Sequence, residues 1–190
     1  MLSKIILIPI EIKAREFQSR LFFAAKALER GFTILLGPSK RLHRALEKFP
    51  RGLIVENDAT SRSYAFYLRT KIFGFQTVVW DEESINPLSD EIFANLRVSS
   101  KTLQYPELFF CRGIGDYNEL IKAHPHFMEK FVQAGNPRLE ILKPDRFRSE
   151  PVSNRQGPRK ILINSRFSIV NPFHISAEKA RDNVFSKMGI

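Results

Sequence analysis

Three groups of polar residues in this chain each follow a short apolar run, and each is equipped for chemistry. Glu11, Lys13, Arg15 and Glu16 come directly after Ile5-Ile6-Leu7-Ile8-Pro9. A carboxylate placed ahead of a helix can accept substrate hydroxyls or a proton, and Lys13 or Arg15 can meet a phosphate. The same charges also serve as ordinary helix-start residues, with Glu16 complementing the helix dipole. Asp81, Glu82 and Glu83 follow Gln76-Thr77-Val78-Val79-Trp80. Adjacent carboxylates repel one another and hold protons to higher pH, which suits general acid or base catalysis, or ligation of a hard cation through oxygen. A water-facing cluster at a helix start is the alternative. The third group is Asn57-Asp58-Ala59-Thr60-Ser61-Arg62. Here small polar residues ahead of a helix can present backbone N–H groups to an anion, with Arg62 as its counter-charge. Capping by Thr60 or Ser61 explains the same residues.

These groups must be positioned by the elements between them. The apolar runs are short, β-branched and punctuated by Gly and Pro, and amphipathic stretches separate them. Strands are predicted at Ile5–Ile8, Phe32–Leu36, Leu53–Val55, Gln76–Trp80, Glu107–Cys111 and Lys130–Ala134. A helix is predicted between the first two, burying Phe17, Leu21, Ala24, Ala25 and Leu28 and ending at Gly31. Further helices are expected over Ser39–Phe49, from Thr60 or Ser61 to Phe73, over Leu88–Leu96, and from the Gly113-Ile114-Gly115 turn to Ala123. Strands alternating with helices give an α/β fold, a doubly wound, mostly parallel, Rossmann-like sheet. In such sheets ligands bind at the carboxyl ends of the strands, where all three polar groups fall.

After residue 142 the composition changes. Residues 143–159 are rich in Pro, Arg, Ser and Asn and read as a linker; 160–190, with one more strand at Lys160–Asn164 and a helix within Ser176–Met188, reads as the start of an incomplete second domain. Residues 1–142 form the main domain in this reading.

Several function classes are excluded or disfavoured. The glycines at 113 and 115 lack the third member of a dinucleotide fingerprint, and no GxxxxGK[ST] loop or GxSxG elbow occurs. His43, His124, His126 and His174 have no zinc-ligand spacing with the single cysteine, Cys111, so no metal and no tightly bound cofactor is expected. One cysteine also precludes an internal disulfide. No apolar stretch is long enough to span a membrane and no signal peptide is recognisable, so a cytoplasmic protein is expected. The net charge of +10 fits an anionic partner: a phosphorylated sugar, a nucleotide, nucleic acid or the inner membrane face. Nucleic acid is disfavoured, because the aromatics fall on predicted core faces.

The turn Gly135-Asn136-Pro137-Arg138 after the sixth strand resembles the GxPR turn of bacterial polymer-building transferases such as the CDP-glycerol glycerophosphotransferases. Together with IPIEIKARE (8–16), NDATSRSYA (57–65), VVWDEES (78–84) and ILINSRFSIVN (161–171), the chain resembles the bacterial surface carbohydrate biosynthesis proteins, which are glycosyltransferase-like and of the two-domain GT-B kind. It departs from them at Cys111-Arg112-Gly113, where an aromatic–Gly pair is expected. The resemblance implies an N-terminal, acceptor-side half that transfers sugar from a nucleotide-sugar donor to a glycan acceptor once a complementing C-terminal domain holds the donor. Glu11, Asp81, Glu82 and Glu83 are then the candidates for base catalysis or acceptor contact. Lys13, Arg15, Asp58, Ser61, Arg62, Asn136 and Arg138 are the candidates for substrate binding. Two alternatives stay open: a truncated, non-catalytic module that binds a glycan or partner chain, and a nucleotide- or nucleic-acid-binding α/β domain.

Overall fold

The computed structural model describes residues 4–82 and 89–143, with Ser176, Glu178, Lys179 and Asp182. Glu83, the greater part of the expected linker and the strand at 160–164 lie outside the described residues. Of the helix expected within 176–188, Glu178, Lys179 and Asp182 are helical. The chain divides into two compact units, Met1–Ser149 and Glu150–Ile190, and the first of them holds the sheet.

The six apolar runs become six strands: β1 (Ile5–Ile10), β2 (Thr33–Pro38), β3 (Leu53–Glu56), β4 (Gln76–Trp80), β5 (Leu108–Cys111) and β6 (Phe131–Gln133). Every pairing is parallel, and the order is β2-β1-β3-β4-β5-β6. A parallel sheet must be buried on both faces, and its strands are accordingly apolar throughout rather than alternating. Ile6 and Ile8 of β1 and Val78 of β4 pack with Ala24 and Ala27 on one face. Leu7, Ile54 and Val79 turn to the other, against Leu46 and Phe75 or against Phe93 and Leu120. The fold is thus the doubly wound α/β sheet expected from the alternating pattern. The chain steps from β1 out to β2 and returns to β3, so the winding reverses between β1 and β3, the position at which such sheets open a ligand crevice.

The helices between the strands are α1 (Lys13–Leu28), α2 (Ser39–Arg44), α3 (Tyr64–Ile72), α4 (Asp90–Ile92), α5 (Ser100–Leu103), α6 (Ile114–Ala123) and α7 (Pro137–Glu140). Helix α2 is shorter than predicted. It ends at Arg44 and continues as a single 3-10 turn, Leu46–Lys48, whose Leu46 is fully buried. The stretch expected to be one helix over Leu88–Leu96 is α4 followed by a wider π-helical turn, Phe93–Arg97.

Helix α1 departs from prediction in the face it buries. Leu21 and Leu28 are about half exposed, whereas Glu16, Ser19, Arg20, Ala24 and Ala27 are buried. Two charged residues lie on the sheet side of the helix because each finds its counter-charge or its hydrogen-bond donors there.

Candidate functional site

The β1–α1 turn is organised by Glu16, which is 1% exposed. Its carboxylate accepts the backbone N–H of Glu11 at 2.8 Å and of Ile12 at 3.3 Å. The Arg15 guanidinium meets the same carboxylate at 3.0 Å. Burial pushes the Glu16 carboxyl up, but the Glu11 amide, the Arg15 guanidinium and the Ile12 amide together outweigh it and hold the group below its ordinary value. Glu11 and Ile12 lie just ahead of the first residue of α1, where backbone N–H groups can face an anion. In this chain a side chain from the next turn of the helix fills their valence.

Glu11 itself points away, with its side chain 63% exposed at 3.9 Å from Arg15. Lys13 is also exposed, its Nζ 5.7 Å from the centre of the Phe17 ring. The two rim a cleft of about 260 Å³ whose floor is Ile10, Phe17, Leu36 and Pro38, at the carboxyl ends of β1 and β2.

The adjacent carboxylates after β4 do not act as a cluster. Asp81 and Glu82 engage different arginines, as the alternating directions of an extended chain require. Asp81 meets Arg97 of the π-helical turn at 2.5 Å and 3.2 Å. Glu82 meets Arg20 of α1 at 2.5 Å, with both side chains 1% exposed. Ser19 donates its hydroxyl to Glu82 at 2.8 Å, Arg20 also donates to Asn57, and Arg138 reaches the Glu82 carbonyl at 3.2 Å. Burial pushes the Glu82 carboxyl up against the opposing pull of Arg20 and Ser19, and burial lowers the Arg20 guanidinium against the pull of Glu82, Glu56 and Glu16. Arg20 Nη1 and Asn136 Nδ2 are buried with no hydrogen-bond partner among the described residues.

Three further turns of this edge follow the rule set by Glu16. After β3, Asp58 accepts the Thr60 N–H and the hydroxyls of Thr60 and Ser63. After β5, Asp116 accepts the N–H groups of Arg112 and Gly113 at 2.8 and 2.9 Å. After β6, Asn136 accepts the Arg138 N–H at 2.9 Å and starts α7. At all four of these turns an internal side-chain oxygen occupies backbone donors.

No family model, curated protein or solved structure matches the chain. Among the described residues no cluster of His, Cys, Asp or Glu could hold a metal ion, and no helix is long and apolar enough to cross a membrane.

Of the residues singled out from sequence, Glu11 and Lys13 therefore share one rim, and Arg15 lies beside them on the Glu16 carboxylate. Arg138 reaches the Glu82 carbonyl, and Asn136 caps the turn that carries Arg138. Asp81 faces Arg97 instead, and Asp58 is a turn cap. Ser61 and Arg62 are exposed on a 3-10 turn ahead of α3. Sequence reasoning missed Ser19, Arg20, Arg97 and Asp116. A signal existed for the first two: Glu16, Ser19, Arg20, Phe23, Ala24 and Ala27 form one continuous helical stripe. It passed unread because half of it is polar.

Proposed function

We propose that this chain is the acceptor-side domain of a glycosyltransferase-like protein of bacterial surface polysaccharide assembly, with its carboxyl edge presented to a glycan rather than to a nucleotide. The observation that carries this is the Glu16 carboxylate seated on the Glu11 and Ile12 amides. Nucleotide-binding α/β domains keep that seat free for a phosphate. Here a diphosphate would have to displace a buried carboxylate and would meet its negative charge at contact distance. The nucleotide-sugar donor accordingly belongs to a complementing domain, and the alternative of a nucleotide- or nucleic-acid-binding domain loses support.

The cleft beside the seat is suited to a sugar. Its apolar floor can take the C–H face of a pyranose ring, while Glu11 and Lys13 on the rim offer a carboxylate and an ammonium to its hydroxyls or acidic groups. Arg62 and the other exposed cations favour an anionic glycan or the inner membrane face. Asp81 and Glu82, each buried against an arginine, act as framework in this reading. Among the described candidates, Glu11 is left as the carboxylate that can reach the acceptor.

The test is amide-resolved NMR titration of the 15N-labelled chain. Acidic capsular oligosaccharide is expected to shift Glu11, Lys13 and Gly37, and Glu11→Gln with Lys13→Ala to abolish those shifts. UDP-glucose or CDP-glycerol is expected to leave the amides of Glu11 and Ile12 unmoved. Nucleotide binding that shifts those two amides overturns the proposal. So does the absence of any oligosaccharide response.

A further inference from the structure

Beyond the cleft, the carboxyl edge carries a second constellation that the glycan reading does not use. Ser39 opens α2 directly after β2, His43 lies one turn further along the same helix, and Glu56 ends β3. His43 Nε2 is 2.8 Å from a Glu56 carboxylate oxygen, and Ser39 Oγ is 3.4 Å from His43 Nδ1. A carboxylate only accepts hydrogen bonds, so a neutral His43 must carry its proton on Nε2. Nδ1 is then left with a lone pair turned toward the serine hydroxyl. The imidazole is packed from one further side, and the backbone that carries it is tethered. Phe66 packs on it with ring centres 4.0 Å apart, and Arg69 donates to the His43 carbonyl at 3.1 Å. The imidazole is 25% exposed and Glu56 12%, so the group is oriented by the fold and still open to a reactant.

We propose that Ser39, His43 and Glu56 form a nucleophile–base–carboxylate relay that makes Ser39 reactive toward esters. In the first step Ser39 Oγ bonds to the ester carbonyl carbon while its proton passes to His43 Nδ1, and Glu56 stabilises the imidazolium. The C–O bond to the leaving group then breaks, and His43 returns the proton to the departing alkoxide. This gives an acyl-Ser39 and an alcohol. Water, deprotonated by His43, attacks the acyl carbon in turn and releases a carboxylic acid and free Ser39. Water is the only co-reactant, and no oxidation state changes. The relay helix carries Lys40, Arg41 and Arg44 and no carboxylate, so esters bearing negative charge are the favoured class.

The experiment treats the full chain with a biotinylated fluorophosphonate and maps the adduct by peptide mass spectrometry. Labelling is expected at Ser39, absent in Ser39→Ala and slowed roughly a hundredfold in His43→Gln. Glu56→Gln should retain labelling at an intermediate rate, because it removes the charge behind the base while leaving the base in place. Melting curves of the variants separate loss of reactivity from loss of fold. Ser39→Ala removes a single partly exposed hydroxyl and is expected to melt like the parent. No adduct at Ser39 in the folded parent overturns the proposal, as does labelling at an unchanged rate in a folded His43→Gln chain. Neither result bears on glycan binding at the Glu11 rim, which the oligosaccharide titration reads separately.

Discussion

Arg20 and Glu82 are the residues on which the carboxyl edge depends most. Each is 1% exposed, and neither could stay charged at that depth without the other. Arg20→Met is expected to cost about 3–5 kcal/mol in urea denaturation, because it leaves a buried carboxylate unpaired. Adding Glu82→Leu should recover most of that loss, since the uncompensated charge then disappears. A double variant as unstable as the single one would show that packing, not charge pairing, sets the cost. Glu16 answers to pH in the opposite sense from Glu82. Its carboxyl is held below the ordinary glutamate value of 4.5, so the stability it contributes is present above that pH and is lost as the pH falls below it. Glu16→Gln should therefore be less stable than the parent by about 2 kcal/mol at neutral pH. The gap should close on acidification. Glu82 is pushed above 4.5, so its ionisation costs stability at neutral pH and its protonation relieves that cost as the pH falls. Stability curves of Glu16→Gln and Glu82→Gln against pH, measured by urea titration, should diverge from the parent's in opposite senses accordingly.

At the scale of elements, two glycines carry different constraints. Gly52 enters β3 where an added Cβ would sit 2.4 Å from the carbonyl oxygen of Ile5, so β1 and β3 could not pair at their present separation. Gly31 ends α1 at φ +79° with open space around it. Gly52→Ala is expected to cost about 2 kcal/mol or more through steric displacement of the strand. Gly31→Ala should cost only about 1 kcal/mol, through backbone conformation alone. Thermal melts that rank the two the other way would refute this assignment. The strands were legible because a buried parallel strand is apolar from end to end, and β1 to β6 fall within a few residues of their predicted bounds. The inward face of α1 was not legible. A search for apolar periodicity selects Leu21 and Leu28, and it has no means of selecting Arg20, whose burial makes sense only once Glu82, in the turn after a strand distant in sequence, is seen beside it. The same blindness made Asp81 and Glu82 look like one acidic cluster. Their arginine partners lie on elements far away in sequence. Glu11 and Lys13 were legible, because position after a strand is itself a local property.

For the molecule as a whole, the net charge of +10 is the property that acts at longest range. Exposed Lys and Arg near an anionic bilayer contribute about 1 kcal/mol each, within a Debye length of the surface. The chain should co-sediment with vesicles containing phosphatidylglycerol at about 50 mM salt and be released by about 500 mM, where the Debye length is only a few ångströms. It should not bind vesicles of phosphatidylcholine alone. Binding to both kinds, or binding that salt does not weaken, would point to apolar contact in place of charge. The exposed Leu96, Ile72 and Leu142 are the first residues to substitute in that event.

The carboxylate of Glu16 can also be described as a permanently tethered ligand. Chain connectivity holds it beside the Glu11 and Ile12 amides at an effective concentration of the order of millimolar or higher, and no dissociation event can wash it away. A free phosphate or sulfate arriving from solution competes with an occupant that never leaves. The β1–α1 turn is therefore self-inhibited toward anions by its own sequence.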